Sequence, residues 1–244
     1  MPRRIAAGNW KMNGTLTALT EAAAIAGGAP DGVEVVICPP ATLLAPMASA
    51  AQGTPLQLGG QACHPAVSGA HTGDVSAEML ADAGATWCIT GHSERRTDHH
   101  EDDAAVRAQT EAVWRAGLTA ILCIGETLAQ REAGRTLDVL MRQLDGSLPE
   151  GATAETTVVA YEPVWAIGTG QVATPEQVAE VHDALRARLG PDTSLLYGGS
   201  VKAANAADLF ALTNVDGALV GGASLTADAF VPIVEALAWG RTNS

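Results

Sequence analysis

Residues 157–177 read TVVAYEPVWAIGTGQVATPEQ, and the first part of this stretch predicts a buried strand with a carboxylate at its end. Residues 157–161 are apolar and rich in β-branched side chains, a pattern typical of a short buried strand. Pro163 ends the strand, because proline has no N–H group to donate to a neighbouring strand. The carboxylate of Glu162 is therefore expected where the strand stops.

The second part of the stretch predicts a helix start. Thr174 is suited to the N-cap, Pro175 to the first helical position, and Gln177 lies three residues after the cap. The apolar loop before it contains Gly168 and Gly170, which can serve as flexible joints. A carboxylate below a loop that can close over it suggests a general base in a water-excluded site. A surface glutamate before an ordinary loop would give the same pattern.

The alternation of strand and helix repeats along the whole chain. Short apolar runs are separated by segments whose apolar residues recur at spacings of three and four, which predicts helices. Eight such units of roughly 30 residues predict parallel strands joined by right-handed crossovers. The fold class is therefore α/β, and we expect a single (β/α)8 barrel domain over residues 1–244, with an outer ring of helices. The predicted strands are 4–7, 33–38, 56–59, 87–90, 119–124, 157–161, 194–197 and 217–220.

An open doubly wound sheet is the competing architecture. That fold usually carries a glycine-rich dinucleotide-binding turn, G-x-G-x-x-G, directly after its first strand. Here the first predicted strand is followed by Gly8-Asn9-Trp10-Lys11, which does not match the pattern. The closed barrel is therefore the preferred prediction.

The composition describes a compact protein whose few charges are mostly negative. Hydrophobic residues make up 47% of the chain, charged residues 17%, and the formal net charge is −13. This charge argues against nucleic acid or an anionic membrane surface as a partner, and an anionic substrate must be captured locally. The chain contains only two lysines, Lys11 and Lys202, so a lysine directly after the first strand hints at a specific role.

The cysteines and the N-terminus favour a cytoplasmic protein. The four cysteines are widely spaced and form no C-x-x-C pair, so we expect buried thiols in a reducing compartment rather than disulfides or zinc. The first residues contain no apolar signal segment, and no apolar run is long enough to span a bilayer. The cysteines are Cys38, Cys63, Cys88 and Cys123.

Polar residues directly after the predicted strands are the candidates for chemistry, because the active sites of such barrels lie at the carboxyl ends of their strands. Among these residues are two glycine turns that lead into helix starts. Such turns favour a phosphate, since backbone N–H groups can approach the anion there, although tight turns without a ligand are the alternative. The candidates are Asn9, Lys11, His92, Ser93, Glu94, Arg95, Glu126, Glu162, Gly198, Gly199, Ser200, Gly221 and Gly222.

His92 and Glu162 are the candidate acid–base pair. A carboxylate can remove a proton from carbon while a neutral imidazole and a lysine polarise the neighbouring oxygen atoms. A histidine after a strand can also act only as a helix cap, and the charges next to it can form a structural ion pair. The other histidines, including His99, His100 and His182, lack this placement, so we expect no metal site.

Residues 60–75, GQACHPAVSGAHTGDV, form the longest stretch without clear periodicity. Loops of this length are uncommon in compact domains and are usually functional or disordered. This one lacks the charge density of a disordered tail. We therefore interpret it as a protruding loop that packs against something else, such as a second subunit.

Six sequence motifs, in chain order, carry a resemblance to a known family. They are AGNWKMNG at 7–14, GHSERR at 91–96, CIGE at 123–126, YEPVWAIGTG at 161–170, YGGS at 197–200 and LVGG at 219–222. Together they resemble triosephosphate isomerases. The resemblance covers the whole chain, and the motif around Glu162 is highly specific by itself.

The resemblance implies a TIM barrel that interconverts dihydroxyacetone phosphate and D-glyceraldehyde 3-phosphate through an enediolate, in glycolysis and gluconeogenesis. Glu162 would move the proton between the two substrate carbons, and His92 would act as a neutral electrophile on the substrate oxygens. Lys11 would supply positive charge and Asn9 a hydrogen bond. No cofactor and no metal are implied.

The resemblance also implies how the phosphate site, the lid and the subunit interface are built. The chain would be a homodimer through the loop at 60–75. Phosphate and substrate would be bound by Gly168, Ser200, Gly221 and Gly222 with Asn9 and Lys11; Ser93 and Glu94 would support the site; Ile167 and Leu219 would cover the base; and Gln61 and Thr72 would belong to the dimer loop.

Two alternatives stay open on sequence alone. One is an isomerase of a four-carbon sugar phosphate, because a slightly larger pocket is hard to see in a sequence. The intact residues 8–11, with Ile167 and Leu219, favour the three-carbon substrate. The other is a non-catalytic phosphate-binding scaffold that reuses the fold. The joint presence of Lys11, His92 and Glu162 argues against it.

Overall fold

The chain forms a closed barrel of eight parallel strands surrounded by helices. The structure is a computed structural model that describes residues 1–167 and 171–240. The strands are β1 (Ile5–Asn9), β2 (Glu34–Cys38), β3 (Gln57–Gly60), β4 (Trp87–Thr90), β5 (Thr119–Ile124), β6 (Thr157–Tyr161), β7 (Leu195–Tyr197) and β8 (Gly217–Val220). They follow one another in chain order, and β8 closes the barrel by pairing with β1. The predicted barrel is confirmed, and the open sheet is excluded.

The predicted strand bounds agree with the structure to within two residues. The largest difference is at β1, which continues past Ala7. Gly8 and Asn9 extend the strand because they still pair with Ile37 and Cys38 of β2. Asn9 is therefore the last residue of a strand and not, as predicted, a residue of the following loop.

The helices lie outside the barrel and connect successive strands. Helix α8 begins as predicted, because Thr174 Oγ1 accepts the N–H of Gln177 at 3.3 Å and Gln177 Oε1 accepts the N–H of Thr174 at 3.0 Å. The α-helices are α1 (Leu19–Gly27), α2 (Ala41–Ala50), α3 (Ala77–Asp82), α4 (Ser93–Asp98), α5 (Asp103–Arg115), α6 (Leu128–Glu132), α7 (Thr136–Ser147), α8 (Pro175–Leu189), α9 (Ala203–Phe210) and α10 (Ala227–Trp239). Short 3₁₀ turns span Leu16–Ala18, Val164–Ala166 and Gly222–Ser224.

Most strands contribute to two apolar cores, because successive side chains of a strand point to opposite faces. In β6, Val158 and Ala160 belong to the core inside the barrel, whereas Val159 and Tyr161 belong to the core between strands and helices. All four cysteines are buried free thiols, as predicted. Both faces of the strands are therefore covered, which explains their continuous apolar sequences.

The loop between β3 and α3 protrudes from the barrel. Its base is tied by a bridge between His64 and Ser76. Residues 67–74 are exposed without interruption, so the protruding loop expected at 60–75 is present. In residues 1–167 and 171–240, no helix combines the length and the apolar character that a membrane crossing requires.

Candidate active site

A cavity of about 350 Å³ lies at the carboxyl ends of the strands. It brings together most of the residues that the sequence selected. A larger cavity of about 520 Å³, lined by Arg107 and Arg188 among others, contains none of them. Gly168 lies outside the described residues. The predicted residues that line the smaller cavity are Asn9, Lys11, His92, Glu162, Ile167, Gly198, Gly199, Ser200, Leu219, Gly221 and Gly222.

The carboxylate of Glu162 is buried and held by two donors. His92 Nε2 lies 2.9 Å from Glu162 Oε1. The backbone N–H of Ser93 donates to Oε2 at 2.9 Å. Only 1% of Glu162 and 5% of His92 is exposed. The candidate acid–base pair is therefore in contact and shielded from bulk water.

His92 is also the N-cap of helix α4. Its Nδ1 accepts the backbone N–H of Glu94 at 3.3 Å. In the neutral imidazole the proton is therefore on Nε2, which faces Glu162. The two roles that the sequence left as alternatives, helix cap and partner of the carboxylate, are combined in one ring.

The contact shifts the pKa values of both partners. Burial raises the pKa of the Glu162 carboxyl, but the charge of His92 and the hydrogen bonds from His92 and Ser93 outweigh burial and hold this pKa below its usual range. Burial lowers the pKa of His92, whereas Glu162 and Glu94 raise it above its ordinary value. The hydrogen bond from the Glu94 N–H opposes this increase in the His92 pKa, because a protonated Nδ1 could not accept that hydrogen bond. Glu162 is therefore ionised at neutral pH and able to accept a proton.

Lys11 is held in an uncommon backbone conformation, with a φ of 53°. Its N–H donates to Asn9 Oδ1 at 3.0 Å, and its carbonyl oxygen accepts Gln61 Nε2 at 2.8 Å. Its Nζ pairs with Glu94 Oε1 at 2.5 Å. These contacts fix both ends of the residue. Gln61, expected in a subunit interface, thus uses its amide within its own chain.

The glycine turns after β7 and β8 lie close to Lys11. A side chain on Gly221 would begin 3.5 Å from Lys11 Cε, and, chain neighbours aside, no atom of the described residues lies within 4 Å of the equivalent point at Gly222. Ser200 Oγ donates to the carbonyl oxygen of Ala166 at 3.0 Å, which ties the β7 turn to the loop after β6. Open backbone beside a cation is a suitable environment for an anion.

Glu126 turns away from the cavity, although its place after β5 made it a candidate. It is fully buried. Its Oε1 accepts Tyr161 Oη at 3.1 Å, Trp165 Nε1 at 3.0 Å and a guanidinium nitrogen of Arg131 at 3.2 Å. Glu126 therefore anchors the start of the loop after β6 and does not face a substrate.

The sequence analysis listed Arg95 as a candidate site residue because of its position after a strand, and it did not list Lys202. Arg95 lies outside the cavity and pairs with Glu101 at 2.7 Å, which fits the structural ion pair considered from the sequence. Lys202 lines the cavity two residues after Ser200. A signal was available, because Lys202 is one of only two lysines in the chain.

One group of three metal-capable side chains is found in the described part of the chain, at His64, His71 and Asp74. Their donor atoms lie within 4.8 Å of one another, and the two ring centroids are 3.8 Å apart. His64 Nδ1 accepts the N–H of Ala66 at 3.1 Å, which puts the ring proton on Nε2, 3.9 Å from Asp74 Oδ2. The geometry therefore favours an imidazole–carboxylate contact over metal ligation.

Comparisons with known proteins agree with this arrangement. The family model described as triosephosphate isomerase matches residues 4–237. Curated proteins named triosephosphate isomerase from Dinoroseobacter shibae and from Ruegeria sp. are each 63% identical over 246 residues; the matches cover 97% and 98% of this chain and 100% and 99% of those proteins. The crystal structure of triosephosphate isomerase from Bartonella henselae superimposes with a TM-score of 0.90 at 51% identity, covering 96% of this chain and 98% of that one. The chain therefore belongs to the triosephosphate isomerase family.

Proposed function

We propose that this chain interconverts dihydroxyacetone phosphate and D-glyceraldehyde 3-phosphate by proton transfer through an enediolate. The observation that carries the proposal is the buried contact between Glu162 and His92 in a cavity that also contains Lys11. Membership of the family supports the same reaction, as do curated relatives named for it. The reaction belongs to glycolysis and gluconeogenesis.

Glu162 is the proposed base. Its ionised carboxylate takes a proton from the carbon next to the substrate carbonyl, and the C–H electron pair forms the double bond of the enediolate. The proton then returns to the neighbouring carbon, which completes the exchange of aldehyde and ketone. The substrate must displace the contacts of Glu162 with His92 and Ser93, because those donors now occupy the carboxylate oxygens.

His92, Lys11 and Asn9 are proposed to stabilise the substrate oxygen that becomes negative. Once the substrate displaces Glu162, the contact that raises the His92 pKa is lost, so His92 supplies its Nε2–H as a neutral donor, and Lys11 supplies a fixed positive charge. Donors that are positioned before the reaction lower its barrier most in a site that excludes water. Asn9 both binds the substrate and holds the Lys11 backbone.

The phosphate is proposed to lie at the glycine turns. Backbone or hydroxyl groups of Gly168, Ser200, Gly221 and Gly222 are its donors, with Lys11 beside them. Ile167 and Leu219 are the apolar cover over the base, and exclusion of water protects the enediolate. Ser93 and Glu94 support the site through their contacts with Glu162 and Lys11. Neither a metal nor a cofactor is proposed.

The first prediction concerns the base. Glu162→Gln keeps the size of the side chain but removes its ability to accept a proton, so we expect turnover to fall by about 10²–10⁴-fold. A coupled assay with glyceraldehyde 3-phosphate measures it. Glu235→Gln, the same change at an exposed position of α10, is the matched control. A folded Glu162→Gln protein with near-normal turnover would remove Glu162 from this role.

The same assay separates the proposed reaction from its alternatives. Four-carbon sugar phosphates are tested beside the three-carbon substrate, and we expect a clear preference for the three-carbon one. Turnover of only the longer substrate would assign the chain to that reaction. Binding of inorganic phosphate without any turnover would indicate a scaffold.

We also propose that the chain is a cytoplasmic homodimer. Its loop at 60–75, with Thr72 in the exposed part, extends away from the barrel. Large apolar side chains are exposed in this loop and in other segments. Covering them in an interface is favourable, because exposed apolar surface is costly in water. These side chains include Met12 (95% exposed), Leu16 (64%), Val67 (51%) and Met79 (52%).

The second prediction concerns this assembly. We expect light scattering to give twice the chain mass of 24.9 kDa at working concentration. Val67→Glu places a charge on the exposed loop and is expected to shift the protein towards monomers, because burying an unpaired charge is costly. A wild-type monomer with full activity would contradict the dimer without affecting the proposed reaction.

A further inference from the structure

The cavity contains both lysines of a chain whose formal net charge is −13. No arginine with a described structure lines it. A substrate that carries a phosphate dianion therefore approaches a protein whose net charge repels it, and the lysines at the cavity provide local attraction. Lys11 belongs to the proposed chemistry, but Lys202 has no role there.

Lys11 is partly neutralised before a substrate arrives. Its ammonium pairs with the carboxylate of Glu94, and the ionised Glu162 lies in the same cavity. Lys202, in contrast, forms no ion pair within 4 Å with any carboxylate of residues 1–167 and 171–240. Lys202 is therefore the lysine of the cavity whose charge is not already balanced by a contact.

The backbone of Lys202 is fixed at the phosphate end of the cavity. Its N–H donates to Asn205 Oδ1 at 2.8 Å, and Asn205 Nδ2 donates to the carbonyl oxygen of Ser200 at 3.1 Å. The amide of Asn205 thus links Lys202 to Ser200. The side chain of Lys202 is exposed and lines the cavity, whereas Glu162 and His92 are buried.

We propose that Lys202 is an electrostatic guide that draws the phosphate group of the substrate towards the turns at Ser200 and Gly221. The inference rests on the proposed function. Lys202 is a positioning residue, because it acts on the approach of the dianion and not on the reacting carbons. An exposed charge is screened by salt, with a Debye length of about 30 Å at 0.01 M and 8 Å at 0.15 M ionic strength. Its effect must therefore depend on ionic strength.

The test is steady-state kinetics of Lys202→Gln with glyceraldehyde 3-phosphate at about 0.01 M and about 0.3 M ionic strength. At low salt we expect kcat/KM to fall about three- to tenfold, with kcat within about twofold of wild type, since single charges act at the low end of steering effects. At high salt the difference should nearly disappear. The inhibition constant of inorganic phosphate should rise by a similar factor at low salt only.

Two further variants complete the experiment. Lys202→Arg keeps the charge and should restore wild-type kinetics. Arg142→Gln removes the same charge from an exposed position of α7 outside the cavity, and it should behave as wild type at both salt concentrations.

A loss that is equal at both ionic strengths, or that appears in kcat, would mean that Lys202 acts through the fold, and it would overturn the proposal. Wild-type kinetics of Lys202→Gln at low salt would overturn it as well. In either case an active wild type leaves the proposed reaction untouched, whereas an inactive wild type would refute that reaction itself.

Discussion

Two glycines, Gly125 and Gly198, pack so closely against Glu162 that neither position has room for a side chain. A side chain on Gly198 would begin 2.8 Å from Glu162 Cγ, and one on Gly125 would overlap the Glu162 carbonyl oxygen. Neither glycine has the positive φ that would by itself favour glycine. Both positions therefore require glycine for space, and the carboxylate keeps its place because its neighbours have no side chains.

The third prediction follows at this scale. Gly198→Ala should displace Glu162 and lower kcat about 10–100-fold, because a shift of about 1 Å in a reacting group can cost a factor of 10². Kinetics with glyceraldehyde 3-phosphate measure it. Gly27→Ala in helix α1 is the control, since beyond the backbone of its own helix no atom of the described residues lies within 4 Å of the added carbon. Equal kcat values for the two variants would show that the site tolerates the methyl group.

Helix α8 illustrates what a single element decides. Val178, Val181 and Leu185 form its buried stripe, and His182 lies on the same face because spacings of three and four share one side of a helix. His182 is completely buried, and its Nδ1 lies 3.0 Å from the carbonyl oxygen of Asn214. Burial lowers its pKa to about 4. The folded protein therefore holds this ring neutral.

The fourth prediction concerns the pH dependence that results. The unfolded chain protonates His182 near its ordinary pKa of 6.5, whereas the folded chain does so only near 4. Stability from this residue is therefore complete above 6.5 and is lost as the pH falls towards 4, by about 3 kcal/mol in total. Urea unfolding of wild type and His182→Gln measures it. The difference in unfolding free energy between wild type and His182→Gln should shrink as the pH falls from 6.5 towards 4. A difference that does not depend on pH would contradict the lowered pKa of His182.

Closure of the barrel is a property of the whole molecule. The last strand, β8, pairs with the first, β1, and Gly217 lies opposite Ile5 in this pair. A side chain on Gly217 would overlap the carbonyl oxygen of Ile5. The two strands, separated by the whole chain, can therefore close only around a glycine at this point.

The fifth prediction tests that closure. Gly217→Ala should lower the free energy of unfolding by about 3 kcal/mol or more, because backbone cannot move aside as a side chain can. Ala6→Gly, which removes a buried methyl group from the same pair of strands, is the control and should cost about 1 kcal/mol. Urea unfolding compares them. A smaller loss for Gly217→Ala than for the control would show that β1 and β8 can separate slightly.

The local pattern of residues in the sequence was sufficient to predict the strands, the start of α8 and the residues that meet at the carboxyl ends of the strands. Short apolar runs identified all eight strands to within two residues, and the side chains of Thr174 and Gln177 form the cap that their spacing predicted. Glu162, His92 and Lys11 could be selected because the carboxyl ends of parallel strands meet at one end of a barrel. These features depend on near neighbours in the chain, which a sequence displays directly.

Side-chain direction beyond the strands needed the folded molecule. Glu126 and Glu162 both follow a strand by one or two residues, yet Glu162 faces the cavity and Glu126 is buried against Tyr161 and Trp165. The contact of Lys202 with the cavity and the overlap at Gly217 likewise join segments distant in the chain. Past a strand end the alternation of side chains stops, and packing against distant residues determines which way each group points.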